Sequence, residues 1–424
     1  MKEKKIGIFG LARTGNASYE FLHIDNEVIC FDDDANNRDV FAAKFGRAQL
    51  VPIKDDSWKS LDCIILSPGV PLHFPKPHQI VEIARSSNIP LISDVEMLYI
   101  TQPMAKYIAV TGTNGKSTTT SLIGHILGDS YSVGGNIGFP SLCIPKKDGY
   151  VLELSSYQLD LMKSFKPNIA VLLNITPDHI DRHGSFENYI ESKRSILRNM
   201  SGGDHLVIGV DNDVNSKIYD SIKSSSAFNI VPFSIHDDIG KLPDNKYLLG
   251  DHNRENLVAS YNVAKILGYN HDQISDRVGS FVGLKHRMQF VRTVDNVHFY
   301  NDSKATNAES ASKSIAALDN IYWLAGGMPK EGGIEPLVPL FGKIKKAYLF
   351  GQAREEFAKT LSRNSIPFEI CETMELATKA AFLDATKDAG GNVLLAPACA
   401  SFDQFKNFEH RGDEFVMVVL SKCK

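Results

Sequence analysis

The stretch YIAVTGTNGKSTTTSLIGHIL, residues 107–127, decides the fold of this chain. It reads as a strand, a glycine loop and a helix, with Gly112-Thr113-Asn114-Gly115-Lys116-Ser117-Thr118 at the junction. The glycines let the backbone fold tightly, so that its N–H groups point at phosphate oxygens. The helix N-terminus adds partial positive charge, Lys116 reaches the outer phosphates, and Ser117 or Thr118 can touch Mg²⁺. The spacing is G-x-x-G-K-S, two residues shorter between the glycines than the standard phosphate loop. An ordinary strand–helix turn that happens to hold Lys-Ser is the alternative. Two glycines, a lysine and hydroxyls at one helix mouth favour the phosphate reading.

Outward from this loop the same alternation recurs. Upstream, KKIGIFG (4–10), EVICFD (27–32), CIILSPGV (63–70) and PLISD (90–94) are short strand candidates, with helical patterning up to His23 and over Gln79 to Ser87. Downstream come YVLELSS (150–156), IAVLLNIT (169–176) and HLVIGV (205–210), then a more polar stretch from about Asp211 to Lys246 and a helical ENLVASYNVAKILG (255–268). A third series follows: HRMQFV, NVHFYND, IYWLAGG, KKAYLFG and NVLLAPA, each short and apolar, most ending at glycine or proline. Strands alternating with helices predict parallel sheets with crossover connections. The chain has 424 residues, and at roughly 100–200 residues per domain this suggests two to four domains. The expected boundaries fall near residues 95 and 285, giving domains 1–95, 96–284 and 285–424.

Composition narrows the class. An apolar fraction of 43% and a charged fraction of 23% suit a soluble globular protein. A net charge of -4 and the lack of a basic stripe argue against a nucleic-acid partner. No apolar stretch approaches the ~18 residues of a membrane span, and the N-terminus has no signal-peptide pattern. Six cysteines lie scattered without a CxxC pair, as expected of reduced thiols in a cytoplasm.

Several residues carry candidate chemistry. Glu153 ends a strand beside the phosphate loop, where a carboxylate is a natural Mg²⁺ ligand. His179, in LLNITPDHIDRHG, stands at another strand end and serves equally well as a satisfied loop histidine; His183 is similarly open. Lys193 falls on the apolar face of FENYIESKRSIL, three and four residues from Ile190 and Tyr189, with Ser185 available as the helix cap. Its stem can lie along the core while the ammonium reaches water, or it can point into the site. The N-terminal Gly7-Ile8-Phe9-Gly10-Leu11-Ala12-Arg13-Thr14-Gly15, followed by Asp32 and Asp33, resembles a dinucleotide fingerprint, but Ala12 replaces the middle glycine. In the third region, His286-Arg287, Asn301-Asp302-Ser303-Lys304-Ala305-Thr306-Asn307, Gly326-Gly327-Met328-Pro329-Lys330 and the segment Pro397–Phe415 cluster at successive strand ends.

Taken in order along the whole chain, these motifs resemble the Mur ligase family. The resemblance implies an α/β fold of three domains, with N- and C-terminal Rossmann-like doubly wound sheets flanking a central P-loop-type ATPase domain. It implies a cytoplasmic, ATP- and Mg²⁺-dependent ligase, expected to be a monomer. Gly112, Thr113, Asn114, Gly115, Lys116, Ser117 and Thr118 match the ATP loop, and by analogy Asn256, Arg287 and Asp302 serve adenine and ribose. Lys116, His179 and Lys193 match catalytic positions. Lys193 matches the lysine that the family carbamylates, so that Ser117, Glu153 and carbamylated Lys193 hold the metal. A carbamate turns an inward cation into an anion, which makes sense of a lysine on an apolar face.

SPGVP and the segment after PACA resemble the D-glutamate-adding branch, and the DNPR signature of diaminopimelate-adding members is absent. The implied substrates are UDP-N-acetylmuramoyl-L-alanine and D-glutamate. Ser67, Pro68, Gly69, Asn136 and His179 fall to the first, and Lys304, Thr306, Lys330, Ser401 and Phe408 to the second. GGMPK lacks the acid that precedes the lysine in several relatives. Folylpolyglutamate synthase shares the ATP loop but needs no complete nucleotide-sugar domain ahead of it. An NAD-dependent dehydrogenase is disfavoured by Ala12, and a non-catalytic nucleotide-binding scaffold by the intact Lys116, Glu153, His179 and Lys193.

Overall fold

The structure, a computed structural model, describes residues 2–330 and 332–423. Three sheets follow one another along the chain. The first holds β1 (Lys5–Phe9), β2 (Glu27–Phe31), β3 (Cys63–Leu66) and β4 (Leu91–Ile92) in the order β2-β1-β3-β4, all parallel. The second holds β5 (Lys106–Thr111), β6 (Tyr131–Gly135), β7 (Gly149–Glu153), β8 (Ile169–Leu172), β9 (His205–Gly209) and β10 (Asn229–Phe233). Its order is β10-β9-β8-β5-β7-β6, again all parallel. The third comprises β11 (Gln289–Val294), β12 (Val297–Asn301), β13 (Ile321–Gly326), β14 (Ile344–Phe350), β15 (Phe368–Ile370) and β16 (Gly391–Leu395), in the order β11-β12-β16-β13-β14-β15. Only its edge strand β11 runs antiparallel to its neighbour.

Central strands read as unbroken apolar runs because helices cover both faces of a parallel sheet. Every residue of β3, β7, β8 and β13 is buried. The strands that pattern reading passes over are edge strands: β6 is YSVGG, β10 is NIVPF and β15 has only three residues. Glycine weakens a strand and proline cannot donate to a ladder, so both are tolerated at an edge and erase the apolar signature there. The polar stretch from Asp211 to Lys246 contains the helix Asp213–Ile222 and β10. The helix begun at Phe186 ends at Arg194 and tightens into a 3₁₀ turn over Ser195–Leu197, with Ser185 capping its start by accepting from Asn188 N.

Contacts divide the chain into two compact units. One runs to Lys241 and includes Glu255–Arg277; the other takes Leu242–Arg254 and the chain from Val278 onward. The first unit therefore contains two sheets, and the helix Asp94–Thr101 joins them with two buried carboxylates. Asp94 accepts from Ser141 N at 3.1 Å and Gln158 Nε2 at 3.3 Å. Glu96 accepts from the backbone N–H groups of Lys163, Ser164 and Phe165 and from Ser164 Oγ. A buried acid survives only when its oxygens are satisfied this way, and removing it strands the donors. In the second unit a buried Trp323 donates to Ala396 O at 2.8 Å, tying β13 to the end of β16.

Replacing Glu96 with alanine leaves three backbone N–H groups without their acceptor, that of Phe165 buried. The expected loss is about 3 kcal/mol, read in a thermal melt as a fall of roughly 6 °C in the transition of the first unit. Glu96→Gln, which keeps one acceptor oxygen, should fall between the two. An unchanged melt for Glu96→Ala would show that these bonds do not hold the two sheets' elements together.

Candidate active site

The glycine loop lies between β5 and the helix Lys116–Leu127, as its sequence requires. Gly112 has φ +153° and Gly115 has φ +84°, both conformations that a side chain resists. A Cβ on Gly115 would stand 2.2 Å from Asn256 Oδ1. Lys116 Nζ donates to the carbonyls of Gly112 and Thr113, each at 2.9 Å, which holds its ammonium over the loop. The loop is braced from outside by residues that pattern reading does not single out. Asn174, just past β8, accepts from Asn114 N at 2.9 Å, donates to Asn114 O at 3.2 Å, and donates to Glu255 at 2.8 Å. Asn256 is fully buried beneath the loop and accepts from Thr119 Oγ1. Thr113 Oγ1 shares a hydrogen bond with Tyr189 OH at 3.1 Å.

Beside this loop lie Glu153, Lys193 and Ser117, all buried. Glu153 ends β7, is buried, and its Oε1 accepts from Asn136 Nδ2 at 2.7 Å. Its Oε2 is buried with no hydrogen-bond partner among the described residues. Lys193 is only 1% exposed. Its Nζ donates to Gly112 O at 2.8 Å and lies 4.6 Å from the centre of the Tyr189 ring. Burial first, and then the Lys116 charge, push its amine well below the ordinary lysine range, against the opposing pull of Asp178, Glu153 and Asp160. The side chain thus points inward and does not snorkel. Ser117 is buried at the helix mouth. Among the described residues no three His, Cys, Asp or Glu side chains converge as a metal cage. A hard cation here would need Glu153, a hydroxyl and a ligand of another kind.

His179 has φ +53° and opens the short helix Ile180–His183. Its ring is half exposed, with Nε2 3.5 Å from Asp178 and the ring centre 5.2 Å from Tyr157. His183 is instead buried, 2.9 Å from Ser156 Oγ, and burial holds it neutral with a pKa of about 4. Burial likewise pushes the nearby Asp160 up to about 6. In the first sheet, Ser67 Oγ donates to Gly10 O at 2.8 Å, and Arg182 donates to the carbonyls of Pro68 and Gly69. Asp32, the acid that would meet a ribose in a dinucleotide fold, accepts from Leu11 N, Asp34 N and Asn37 Nδ2. The N-terminal glycine loop has absorbed it.

The second unit gathers its own cluster. Asp302, buried, accepts from Ser314 Oγ and Met288 N, and burial raises its carboxyl above the usual range. Arg287 and Thr306 are half-buried on the flanking turns, and the Lys304 ammonium lies 4.2 Å from the centre of the Phe408 ring. Ser401 is buried, whereas Lys330 is exposed. What joins these loops is Arg411, which is fully buried. It donates to Ser303 Oγ and O, to Cys399 O and to Ala400 O, so one guanidinium fixes the loops after β12 and β16. Burial lowers its pKa to about 10.

Comparison with known proteins gives consistent matches. Residues 110–246 match the Mur ligase middle domain and residues 286–399 the Mur ligase glutamate ligase domain. The UDP-N-acetylmuramoylalanine–D-glutamate ligase of Rickettsia prowazekii (strain Madrid E) is 50% identical over 438 residues, covering 98% of this chain and 97% of that one. The enzyme of that name from Agrobacterium fabrum (strain C58) is 40% identical over 98% of this chain and 95% of its own. Among solved structures, the UDP-N-acetylmuramate–alanine ligase of Thermotoga maritima shares the fold with a TM-score of 0.62 at 19% identity, covering 99% of this chain and all of the other. A MurF structure from Acinetobacter baumannii gives 0.56 at 18% identity over 76% of this chain and 78% of that one.

Gly115→Ala should weaken binding of a fluorescent ATP analogue on the order of 100-fold, because the strained φ and the clash with Asn256 together cost about 3 kcal/mol. Binding equal to that of the parent chain would mean that the loop does not cradle the nucleotide.

Proposed function

Since the chain belongs to the Mur ligase family, we propose that it joins D-glutamate to UDP-N-acetylmuramoyl-L-alanine, forming an amide with cleavage of ATP to ADP and phosphate in peptidoglycan precursor synthesis. The full-length likeness to D-glutamate ligases carries the choice of amino acid. The buried Lys193 against the phosphate loop supports the chemistry.

A carboxylate is anionic and has no useful leaving group. Its attack on the γ-phosphorus of ATP forms an acyl phosphate and releases ADP. The amine of D-glutamate then attacks the acyl carbon, and the tetrahedral intermediate expels phosphate. Lys116, with Thr113 and the loop N–H groups, is the natural partner of the phosphate oxygens. The amine must shed a proton, and half-exposed His179 beside Asp178 is available to take it. Asn136 orients Glu153 and reaches the acceptor side.

The residues present fit a magnesium ion. Glu153 offers an unpartnered buried oxygen, Ser117 a hydroxyl, and Lys193 a buried amine held well below the ordinary lysine range by burial and the Lys116 charge. That amine can add carbon dioxide, forming an N–C bond and losing one proton, which leaves a carbamate oxygen donor. Glu153, Ser117 and carbamylated Lys193 would hold the ion, which when bound neutralises charge crowded on the transferring phosphoryl group. Within this reading, residues 1–95 take the nucleotide sugar through Ser67, Pro68 and Gly69, and residues 96–284 take ATP, with Asn256 bracing its loop. Residues 285–424 contribute Arg287 and Asp302 to the nucleotide, and Lys304, Thr306, Lys330, Ser401 and Phe408 to glutamate.

Phosphate release with ATP, Mg²⁺ and UDP-N-acetylmuramoyl-L-alanine should depend on D-glutamate and not on L-glutamate, meso-diaminopimelate or L-alanine, and mass spectrometry should find the coupled product. Turnover with another amino acid would move the chain within the family, and no turnover by folded protein would sink the proposal. For the carbamate, ¹³C NMR in labelled bicarbonate should show one carbamate resonance that disappears in Lys193→Arg. A spectrum without that resonance, from an active enzyme, would remove the carbamate from the mechanism.

A further inference from the structure

We infer that Arg182 is a positioning residue for the nucleotide-sugar site: its guanidinium fixes the Pro68 and Gly69 carbonyls to the turn that carries His179. The inference rests on the reading of Ser67–Gly69 as part of that site.

Nη1 donates to Gly69 O at 2.9 Å and Nη2 to Pro68 O at 3.4 Å, across more than a hundred residues of sequence. The guanidinium also lies 4.7 Å from the centre of the Tyr157 ring. None of these partners is a carboxylate. A guanidinium is a rigid fork that suits two successive carbonyls, which a lysine ammonium on a flexible stem cannot span in the same way. The ring beneath it fixes the plane of the fork.

A second contact joins the same two segments. Gly184, with φ +80°, packs so closely on Phe74 that a Cβ there would stand 2.6 Å from the ring. The segment 67–74 is thus held at two points by residues 182–184. His179 begins that turn, and Tyr157 is shared: its ring is 4.7 Å from Arg182, 5.2 Å from His179 and 5.5 Å from His183. The loop that would meet the nucleotide sugar and the histidine near its reacting end are therefore set by one cluster. Without Arg182 the loop must be ordered at the moment of binding, and that cost falls on affinity for the nucleotide sugar. The ATP loop has no bond to Arg182 and should be indifferent to its loss.

Calorimetric titration with UDP-N-acetylmuramoyl-L-alanine tests this on the full chain. Arg182→Ala should bind on the order of 30-fold more weakly, because the two bonds that order the loop before binding are lost. Arg182→Lys should recover only a part, and a fluorescent ATP analogue should bind all three chains alike. Arg182 lines a cavity of about 410 Å³, so free guanidinium ion at sub-denaturing concentration should restore much of the lost affinity to Arg182→Ala. Methylammonium should not, and the parent chain should not respond to either ion. Parent-like affinity in Arg182→Ala, equal loss for both ligands, or failure of guanidinium to rescue would each overturn the inference.

Gly69→Trp isolates the premise, because a side chain on Gly69 meets nothing within 4 Å and would project into open space over the loop. If it leaves nucleotide-sugar affinity unchanged, the loop is not the site and the inference falls with it. If it blocks binding while Arg182→Ala does not, the premise stands and only the role of Arg182 fails.

Discussion

A lysine amine buried to 1% exposure beside a second lysine is the constraint from which the rest of the site follows. An ammonium at that place would face both desolvation and the Lys116 charge, and the hydrogen bond to Gly112 O compensates only one donor. The fold keeps the side chain there all the same, anchored on a helix capped by Ser185 and packed against Tyr189. An amine held well below the ordinary lysine range beside an unpartnered Glu153 oxygen fits the proposal that it is the precursor of an anion. In that proposal a divalent cation and phosphate would balance the charge.

The phosphate loop needs equal rigidity, and it comes from polar groups brought in from distant sequence. Asn174 satisfies both the N–H and the carbonyl of Asn114, Glu255 holds Asn174, and Asn256 closes off the space beside Gly115. Each of these groups is itself satisfied, which is what allows a buried polar network to stiffen a loop without destabilising it. The second unit solves the same problem with one residue: Arg411 donates to Ser303, Cys399 and Ala400 and ties two strand-end loops together. Donating to carbonyls, the guanidinium is lowered by burial to a pKa of about 10, against the opposing pull of Cys399 and Asp403.

Much of this was legible in the sequence, for identifiable reasons. Central strands announce themselves because a parallel sheet buries both faces, and β5, β7, β8, β13 and β16 fell where short apolar runs ended in glycine, proline or a polar residue. The edge strands β6 and β10 did not, since YSVGG and NIVPF contain the residues that an edge tolerates and a pattern rejects. The glycine loop, Glu153 and the place of Lys193 on an apolar helix face were visible as residue types, but the pattern alone favoured an ammonium that snorkels to water over one that points inward. Asn174, Glu255, Arg182 and Arg411 were not, because their importance lies in partners far away in sequence. Arg182 and Gly69 are separated by 113 positions, and nothing local to HIDRHG indicates that its arginine leaves its own turn.

These long-range polar contacts share a geometry that bears on how ligands are brought together. Asp94 and Glu96, just past the first sheet, accept from backbone N–H groups in loops of the second, and Arg182, from the second, donates to backbone carbonyls of the first. Charge-assisted bonds to backbone are directional, so they fix orientation as well as proximity, whereas apolar contacts at the same place would allow sliding. Two sheets behave as one platform only if such ties resist rotation. The apolar residues of both sheets supply most of the stability, but the few charged groups between them fix how the loops of one sheet stand relative to those of the other. Loss of the buried Glu96 therefore shows in folding, whereas loss of the half-buried Arg182 is expected to show in binding before it shows in folding.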